Sequence, residues 1–423
     1  MAMELPPWVV AAILLVTGGA TGMVAAVLAR RGWLSVLGGL EGPFLARPRT
    51  FAWSSSAAVR RAVAPALLYL VIRLLGSLLF WVMAWWNRRP VNLLAWDGQW
   101  YLRIAEFGYL TAARGMVDAH NMPSPFGAMA FFPGYPHLVR GVAPLLGDDY
   151  LAAGLVVSTA AGVVGGYAVA RLARHCGADR RGELIAVAAL AAAPMSVVFT
   201  LPYPESLLVA VVGWALVGLL ERRWWLAIAG SAAAGYLSPM GVPLIPVVIA
   251  AIVVHRKQAG WPALLGTLLT PAGLLGYLLW VDRKSGMTGG FFAITKAGWG
   301  NEIDFGATTL TWVLATFAAD PNVFTLITAA VIVVAGAALI WSRGLLPWPV
   351  WTYCLFTVGM AFGSGGLVQD RVRLLLSAFP LMLPLAIVLS GLKARWAIAS
   401  TAGLVLAGLW FSAHSLTVWR YGI

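Results

Sequence analysis

The stretch Trp96-Asp97-Gly98-Gln99-Trp100-Tyr101 sets one carboxylate among three aromatic side chains. A carboxylate held within hydrogen-bond reach of a hydroxyl can take its proton as a general base. A second aromatic cluster, Phe131-Phe132-Pro133-Gly134-Tyr135-Pro136, follows in the same segment between apolar runs. Acid and rings at a bilayer boundary suit a substrate that is half lipid and half sugar. Asp97 is the candidate base, with Trp96, Trp100, Tyr101, Phe132 and Tyr135 as candidate lining of a sugar and lipid path, joined by His137 and Glu205 as further substrate contacts. Cations that could meet a phosphate are Arg371 and Arg373, with Lys296 and Arg140 as lesser candidates.

The elements that must position these residues are membrane spans. Hydrophobic residues make up 61% of the chain and charged residues 11%, and the apolar residues come in runs of about 20, the length that crosses hydrocarbon. The expected fold is an all-α polytopic membrane protein of about 12 transmembrane helices with interfacial helices on the outer face. The runs fall near 8–29, 62–86, 151–173, 183–201, 204–220, 224–238, 240–254, 262–281, 321–341, 346–363, 374–391 and 396–417. The short spans 224–238 and 240–254 are expected to kink around Pro239 and Pro243. Residues 1–61 read as an extra N-terminal span with a basic cytoplasmic loop, and 62–423 as one membrane domain with outer loops near 87–150, 282–320 and 363–373.

The net charge of +13 gathers in alternate loops, beginning with Arg30, Arg31, Arg47, Arg49, Arg60 and Arg61. That is the positive-inside pattern, which places both aromatic loops outside and argues against a nucleic-acid surface. The expected location is the plasma membrane, with many crossings and an outward site. The five histidines show no HExxH or HxxxH spacing and the two cysteines no CxxC, so neither a protein metal site nor a cofactor is expected.

Each candidate also has an ordinary explanation. Asp97 opens a segment, 97–108, in which Gln99, Arg103 and Glu106 share one helical face and Trp100, Tyr101, Ile104 and Ala105 the other. An Asp at such a start is a favoured N-cap. Glu205 begins a helix, where an acid complements the dipole. Arg371 and Arg373 flank a span and can anchor it to headgroups, Asp370 can pair with Arg371, and Glu106 can pair with Arg103. His137 suits an interfacial position. Arg73, inside a span, needs a partner or a water-filled cavity.

The set as a whole resembles the PIG-V family of mannosyltransferases, polytopic enzymes of GT-C architecture. The resemblance rests on Trp96-Asp97-Gly98-Gln99-Trp100-Tyr101-Leu102-Arg103-Ile104-Ala105-Glu106-Phe107-Gly108-Tyr109 and on Ala130-Phe131-Phe132-Pro133-Gly134-Tyr135-Pro136. It continues with Tyr203-Pro204-Glu205-Ser206-Leu207 and with the proline-punctuated run from Leu374 to Pro384. It implies an inverting transfer of mannose from a polyprenyl-phosphate-mannose donor to a lipid or glycan hydroxyl among the membrane lipids. Asp97 would be the base and no nucleotide would occupy the site. The chain departs from the family pattern at Ser238-Pro239-Met240-Gly241, where a basic residue precedes Pro-x-Gly, and at Arg371-Val372-Arg373, where Arg-Tyr is usual.

The rival reading is a transporter or flippase of lipid-linked glycans that uses the same cavity without chemistry, with Arg73 on its path. A transporter keeps ionisable groups near mid-membrane, whereas these carboxylates gather at the outer boundary. A scaffold without activity is the third reading.

Overall fold

A computed structural model of the protein describes residues 56–319 and 321–419. The expected span 8–29 and the loop that follows it to residue 55 lie outside the described residues. Among those residues the secondary structure is helical, with two isolated β-bridges. The main helices are α1 (Ser56–Trp86), α2 (Gly98–Phe107), α3 (Gly134–Val142), α4 (Tyr150–His175), α5 (Arg180–Ala191), α6 (Glu205–Leu220), α7 (Trp224–Leu237) and α8 (Leu244–Val254). They continue with α9 (Arg256–Gly266), α10 (Ala272–Ser285), α11 (Gly290–Trp299), α12 (Ala307–Ala318), α13 (Val323–Trp341), α14 (Trp348–Phe362), α15 (Leu383–Ser390) and α16 (Ala394–Thr417).

The expected apolar runs within the described residues fall on these helices, and the protein is an all-α polytopic membrane protein. Six described helical segments are long and apolar enough to cross a bilayer: Val59–Trp86, Tyr150–His175, Arg256–Ser285, Val323–Trp341, Val368–Ser390 and Ala394–Thr417. The other runs are shorter or broken. The run 224–238 and 240–254 divides into α7 and α8 around a 3-10 turn at Pro239–Gly241, as the two prolines require. The loop expected over 282–320 instead carries α11 and α12, whose stretches of 10 and 12 residues are too short to register as spans. Helix α1 starts at Ser56, ahead of the expected 62, so Arg60 and Arg61 lie on its first turns.

Small residues let the helices approach closely, as packing without a hydrophobic driving force demands. Helix α4 buries Gly154, Ser158, Ala161, Gly162, Gly165 and Gly166 where it packs against α6 and α1. A Cβ on Gly162 would lie 1.9 Å from the Tyr69 hydroxyl, and one on Gly408 of α16 would lie 1.7 Å from the Ala192 carbonyl oxygen. At both positions the neighbouring helix occupies the space a side chain would need.

Arg73 finds its partner at that second contact. Helix α5 ends at Ala191, and the chain turns through Ser196–Phe199 before α6. The Arg73 Nη1 donates to the Ala191 carbonyl at 2.8 Å and to Ser196 Oγ at 3.0 Å, and Nη2 donates to Thr200 Oγ1. A broken helix inside the bilayer exposes carbonyls that water cannot reach, and a guanidinium that supplies donors there closes the break. The mid-span charge is thus used in joining α1 to α5, and its contacts are those of a structural residue.

The long segments between spans meet each other. Asp304 N–H donates to the Gly363 carbonyl and Gly365 N–H to the Glu302 carbonyl, at 3.0 and 2.6 Å. Ala119 N–H donates to the Gly298 carbonyl at 3.1 Å, so 87–150, 282–320 and 363–373 form one assembly. The alternate loops are gathered separately. Glu221 accepts from Arg171 and pairs with His175 and Arg223, while Glu183 pairs with Arg174 and Arg180.

Candidate active site

The backbone before α2 decides how Asp97 is presented. Trp96 adopts a left-handed conformation with φ of 52°, which turns the chain sharply ahead of the helix. Asp97 then has φ −69° and ψ −18°, already helical, and its side chain makes no capping bond. A capping residue takes extended angles so that its side chain can fold back over the first N–H groups, and Asp97 lacks them. The expected cap does not form, and the carboxylate is left to another use. Tyr203 pins this turn, because its hydroxyl donates to the Ala95 carbonyl and accepts the Asp97 N–H, both at 2.9 Å. Gly98 fits closely at the next position, where a Cβ would lie 3.2 Å from the Tyr203 ring and push it aside.

The Asp97 carboxylate turns to Arg373, whose Nη1 donates to Oδ2 at 2.5 Å. The other two nitrogens face two further acids. Nε stands 3.8 Å from Glu205 Oε1 and Nη2 stands 3.8 Å from Asp370 Oδ2. One guanidinium is therefore set among three carboxylates from three parts of the chain. Its carbon also lies 5.6 Å from the centre of the Tyr203 ring, within cation–π range. Glu205 Oε2 and Asp370 Oδ1 are buried without a hydrogen-bond donor. Burial, with Glu205 and Asp97 nearby, holds the Tyr101 phenol well above the usual tyrosine range, and burial with Asp97 does the same for Tyr203. Both phenols stay protonated, as the Tyr203 bond to Ala95 requires.

Arg371 behaves differently. It is fully buried and donates through Nη2 to the Ser364 carbonyl, while Nε and Nη1 have no partner. The expected Asp370–Arg371 pair is replaced by the approach of Asp370 to Arg373. Residues two apart on a helical turn point to opposite sides, so Arg371 and Arg373, both on the turn Arg371–Leu374, share no hydrogen-bond partner. Arg103 likewise departs from its expected pairing with Glu106. Its Nε donates to the Ala112 carbonyl and its Nη2 to that of Arg114, at 2.9 and 2.7 Å, which fastens the chain after α2.

The two aromatic motifs form a packed floor beneath the ion cluster. Trp100 stacks on Phe131 at 5.4 Å and meets Trp299 edge-on at 6.2 Å. Tyr101 lies edge-on to Phe131, Tyr135 and Tyr203. Phe132 is buried against Tyr277 and Phe291, and the Tyr135 hydroxyl is bonded to Gly154 O and Ser158 Oγ, both at 2.9 Å. Trp96 packs beside Met195, Phe324, Val372 and Phe411.

The remaining candidates stand apart from the cluster. Lys296 pairs with Glu302 on the surface at 2.5 Å. His137 is bonded through Nδ1 to the Tyr236 hydroxyl at 2.8 Å, and Arg140 is exposed in the last turn of α3. Among the described residues, no set of three His, Cys, Asp or Glu gathers as metal ligands. The structure thus brings Asp97, Glu205 and Arg373 together, adds Tyr203 and Asp370, and keeps Arg371 near enough to act electrostatically on Asp370. Tyr203 and Asp370 stand in the sequence only as neighbours of other candidates; Tyr203 acts on a turn 106 positions away, whereas Asp370 reaches Arg373 within the same short segment, three positions on.

In its fold the chain is similar to ArnT from Cupriavidus metallidurans. With the apo crystal structure it shares 16% identity at a TM-score of 0.51, over 86% of this chain and 78% of that one. With ArnT bound to undecaprenyl phosphate it shares 15% identity at a TM-score of 0.50, over 84% and 78%. The fold is GT-C-like. No protein-family model and no curated protein matches the sequence. Identity this low carries the fold alone, and the chemistry has to be argued from the site.

Tyr203 gives a direct test of how that site is built. Tyr203→Phe leaves the Asp97 N–H without an acceptor, at a cost of about 1–3 kcal/mol, while Ala95 O keeps the Gly98 N–H at 3.2 Å. The expected result is a lower midpoint of thermal unfolding for the purified variant. An unchanged midpoint would show that the hydroxyl does not hold the turn.

Proposed function

We propose that the protein transfers a sugar, mannose by its resemblance, from a polyprenyl-phosphate carrier to a hydroxyl of a lipid or glycan acceptor, at the outward face of the plasma membrane. The observation that carries the proposal is the released Asp97 carboxylate, which makes no cap and is held by Arg373 where the segments 87–150 and 363–373 meet. Support also comes from the fold, since the similar ArnT has been crystallised with undecaprenyl phosphate bound.

In the reaction, Asp97 takes the proton of the acceptor hydroxyl as its oxygen attacks the anomeric carbon. The bond from that carbon to the phosphate oxygen breaks, the carrier leaves as polyprenyl phosphate, and configuration inverts. The leaving phosphate needs a cation more than it needs an acid. Arg371 fits that need better than Arg373, because two of its nitrogens are unpaired while Arg373 is already set among three carboxylates. A preplaced donor in a partly dry site is worth most where charge develops. Tyr101 and the rings of Trp96 and Trp100 border the path, and membrane lipids supply the surroundings.

The test is transfer of radiolabel from polyprenyl-phosphate-mannose to a membrane lipid extract by purified protein in detergent. Label in a new product supports the transferase and, with only one compartment present, excludes transport as the sole function. Intact donor across several extracts and several donor sugars would overturn the reading.

A further inference from the structure

Several helix ends meet on the side of the molecule away from Asp97. Helix α1 spans 31 residues, about 46 Å at the α-helical rise. Asp97 follows its far end, while Arg60 and Arg61 lie near its start. Arg180, at the start of α5, donates from Nη2 to the Arg61 carbonyl. Arg181 beside it donates from Nη1 to the carbonyls of Ser390 and Leu392, at 3.3 and 3.1 Å. These bonds fasten the start of α1 to the end of α15. Lys393 and Arg395 follow at once, where α16 begins and packs along α1. Arg60, Arg61, Arg181, Lys393 and Arg395 are exposed and form no ion pair among the described residues. Of the acids beside them, Asp179 caps α5 through the Gly182 N–H, and Glu183 is shared by Arg174 and Arg180. The edge keeps a surplus of positive charge.

The surface leading away from these cations is apolar. Val59, Val63, Leu67 and Val71 are exposed at four-residue intervals along α1, the spacing of one helical face. Trp396 and Ile398 are exposed on α16. The Arg395 guanidinium lies 5.3 Å from the centre of the Trp396 ring, and tryptophan favours the level where headgroups meet hydrocarbon. A free anion would use the cations and leave the apolar face bare, and a neutral lipid would do the reverse. A molecule with an anionic head and apolar chains uses both. We propose that this edge binds an anionic phospholipid, its headgroup among Arg60, Arg61, Lys393 and Arg395 and its chains along the exposed face of α1. The bound lipid ties the start of α1 to that of α16. The proposal is independent of the transferase reading, since it concerns the other side of the membrane and needs no sugar.

The experiment follows thermal unfolding of the purified protein in a neutral detergent as phosphatidylglycerol is added, with phosphatidylcholine and inorganic phosphate in parallel. A ligand of the folded state raises the midpoint. Phosphatidylglycerol should raise it at concentrations where the other two do not. Lys393→Gln with Arg395→Gln should weaken its apparent affinity by about twenty-five-fold, about fivefold for each cation near the surface. Arg60→Gln with Arg61→Gln should act alike, and decides the matter if the first pair does not fold. Arg88→Gln with Arg89→Gln removes the same charge beyond the far end of α1 and should leave the affinity unchanged. Equal protection by phosphatidylcholine would mean an ordinary lipid annulus, and equal protection by inorganic phosphate a free-anion site; either overturns the proposal. So would wild-type affinity in the Lys393 and Arg395 pair, or an equal loss in the Arg88 and Arg89 pair.

Discussion

Asp97→Asn should reduce turnover by about a hundredfold to ten-thousandfold at saturating donor and acceptor, the range for loss of a general base. The fold should survive the change. Removing one member of a buried ion pair is strongly destabilising when it leaves a lone charge, but Arg373 keeps Glu205 and Asp370 within 3.8 Å. The asparagine oxygen can also still accept from Nη1. Loss of rate with an intact unfolding transition is then the signature of chemistry. Steady-state turnover of a purified, correctly folded variant checks it. Full turnover in Asp97→Asn would move the base elsewhere, with Glu205 the next carboxylate to test.

Much of this architecture can be read before any coordinates, because hydrocarbon imposes long apolar runs on the chain. The six long apolar segments that can cross a bilayer are visible for that reason, and so is α2, whose polar and apolar faces separate cleanly. In the structure Trp100, Ile104 and Ala105 are buried while Gln99 and Glu106 are exposed. What composition does not show is the use of a residue at an element boundary. Whether Asp97 caps α2 or serves Arg373 depends on the left-handed turn at Trp96, an angle that no side-chain type signals at a tryptophan. Arg373 lies 276 positions away, and nothing local links the two. Arg371 and Arg373 look interchangeable as a pair of cations, and only the structure shows that Arg373 forms the ion pairs while Arg371 spends its one hydrogen bond on the Ser364 carbonyl. The helices α11 and α12, of 10 and 12 residues, are too short for a span, so a reading by apolar run length leaves 282–320 as a loop. The preference for mannose and for the PIG-V pattern stays with the motif residues, since a shared fold supports many sugars and acceptors.

Arg371→Met should separate function from stability in a way few substitutions in a buried site do. The guanidinium is fully buried, donates a single hydrogen bond and leaves Nε and Nη1 without partners. Methionine fills similar space without polar atoms. Its cost is the charge-assisted bond to Ser364, about 1.5–3 kcal/mol, and its gain is the relief of two unsatisfied buried donors at about 1–3 kcal/mol each. These oppose each other, and Asp370, one of the acids near Arg371, keeps Arg373 at 3.8 Å when Arg371 is removed. Thermal unfolding should therefore stay near that of the wild type or rise. Transfer should not be spared, because the unpaired nitrogens are the donors assigned to the leaving phosphate. Loss of one such contact lowers catalysis by about a hundredfold to a thousandfold, and Arg371→Lys should recover only part of it, since a point charge cannot offer the planar fork. The pairing of unfolding midpoint with kcat/KM for the donor is the decisive measurement. A variant that unfolds early but turns over normally per folded molecule would make Arg371 a structural brace of the 363–373 loop, and the phosphate would need another cation. A stable, nearly inactive variant would mean that the protein keeps two unsatisfied guanidinium nitrogens in its interior because a phosphate completes them.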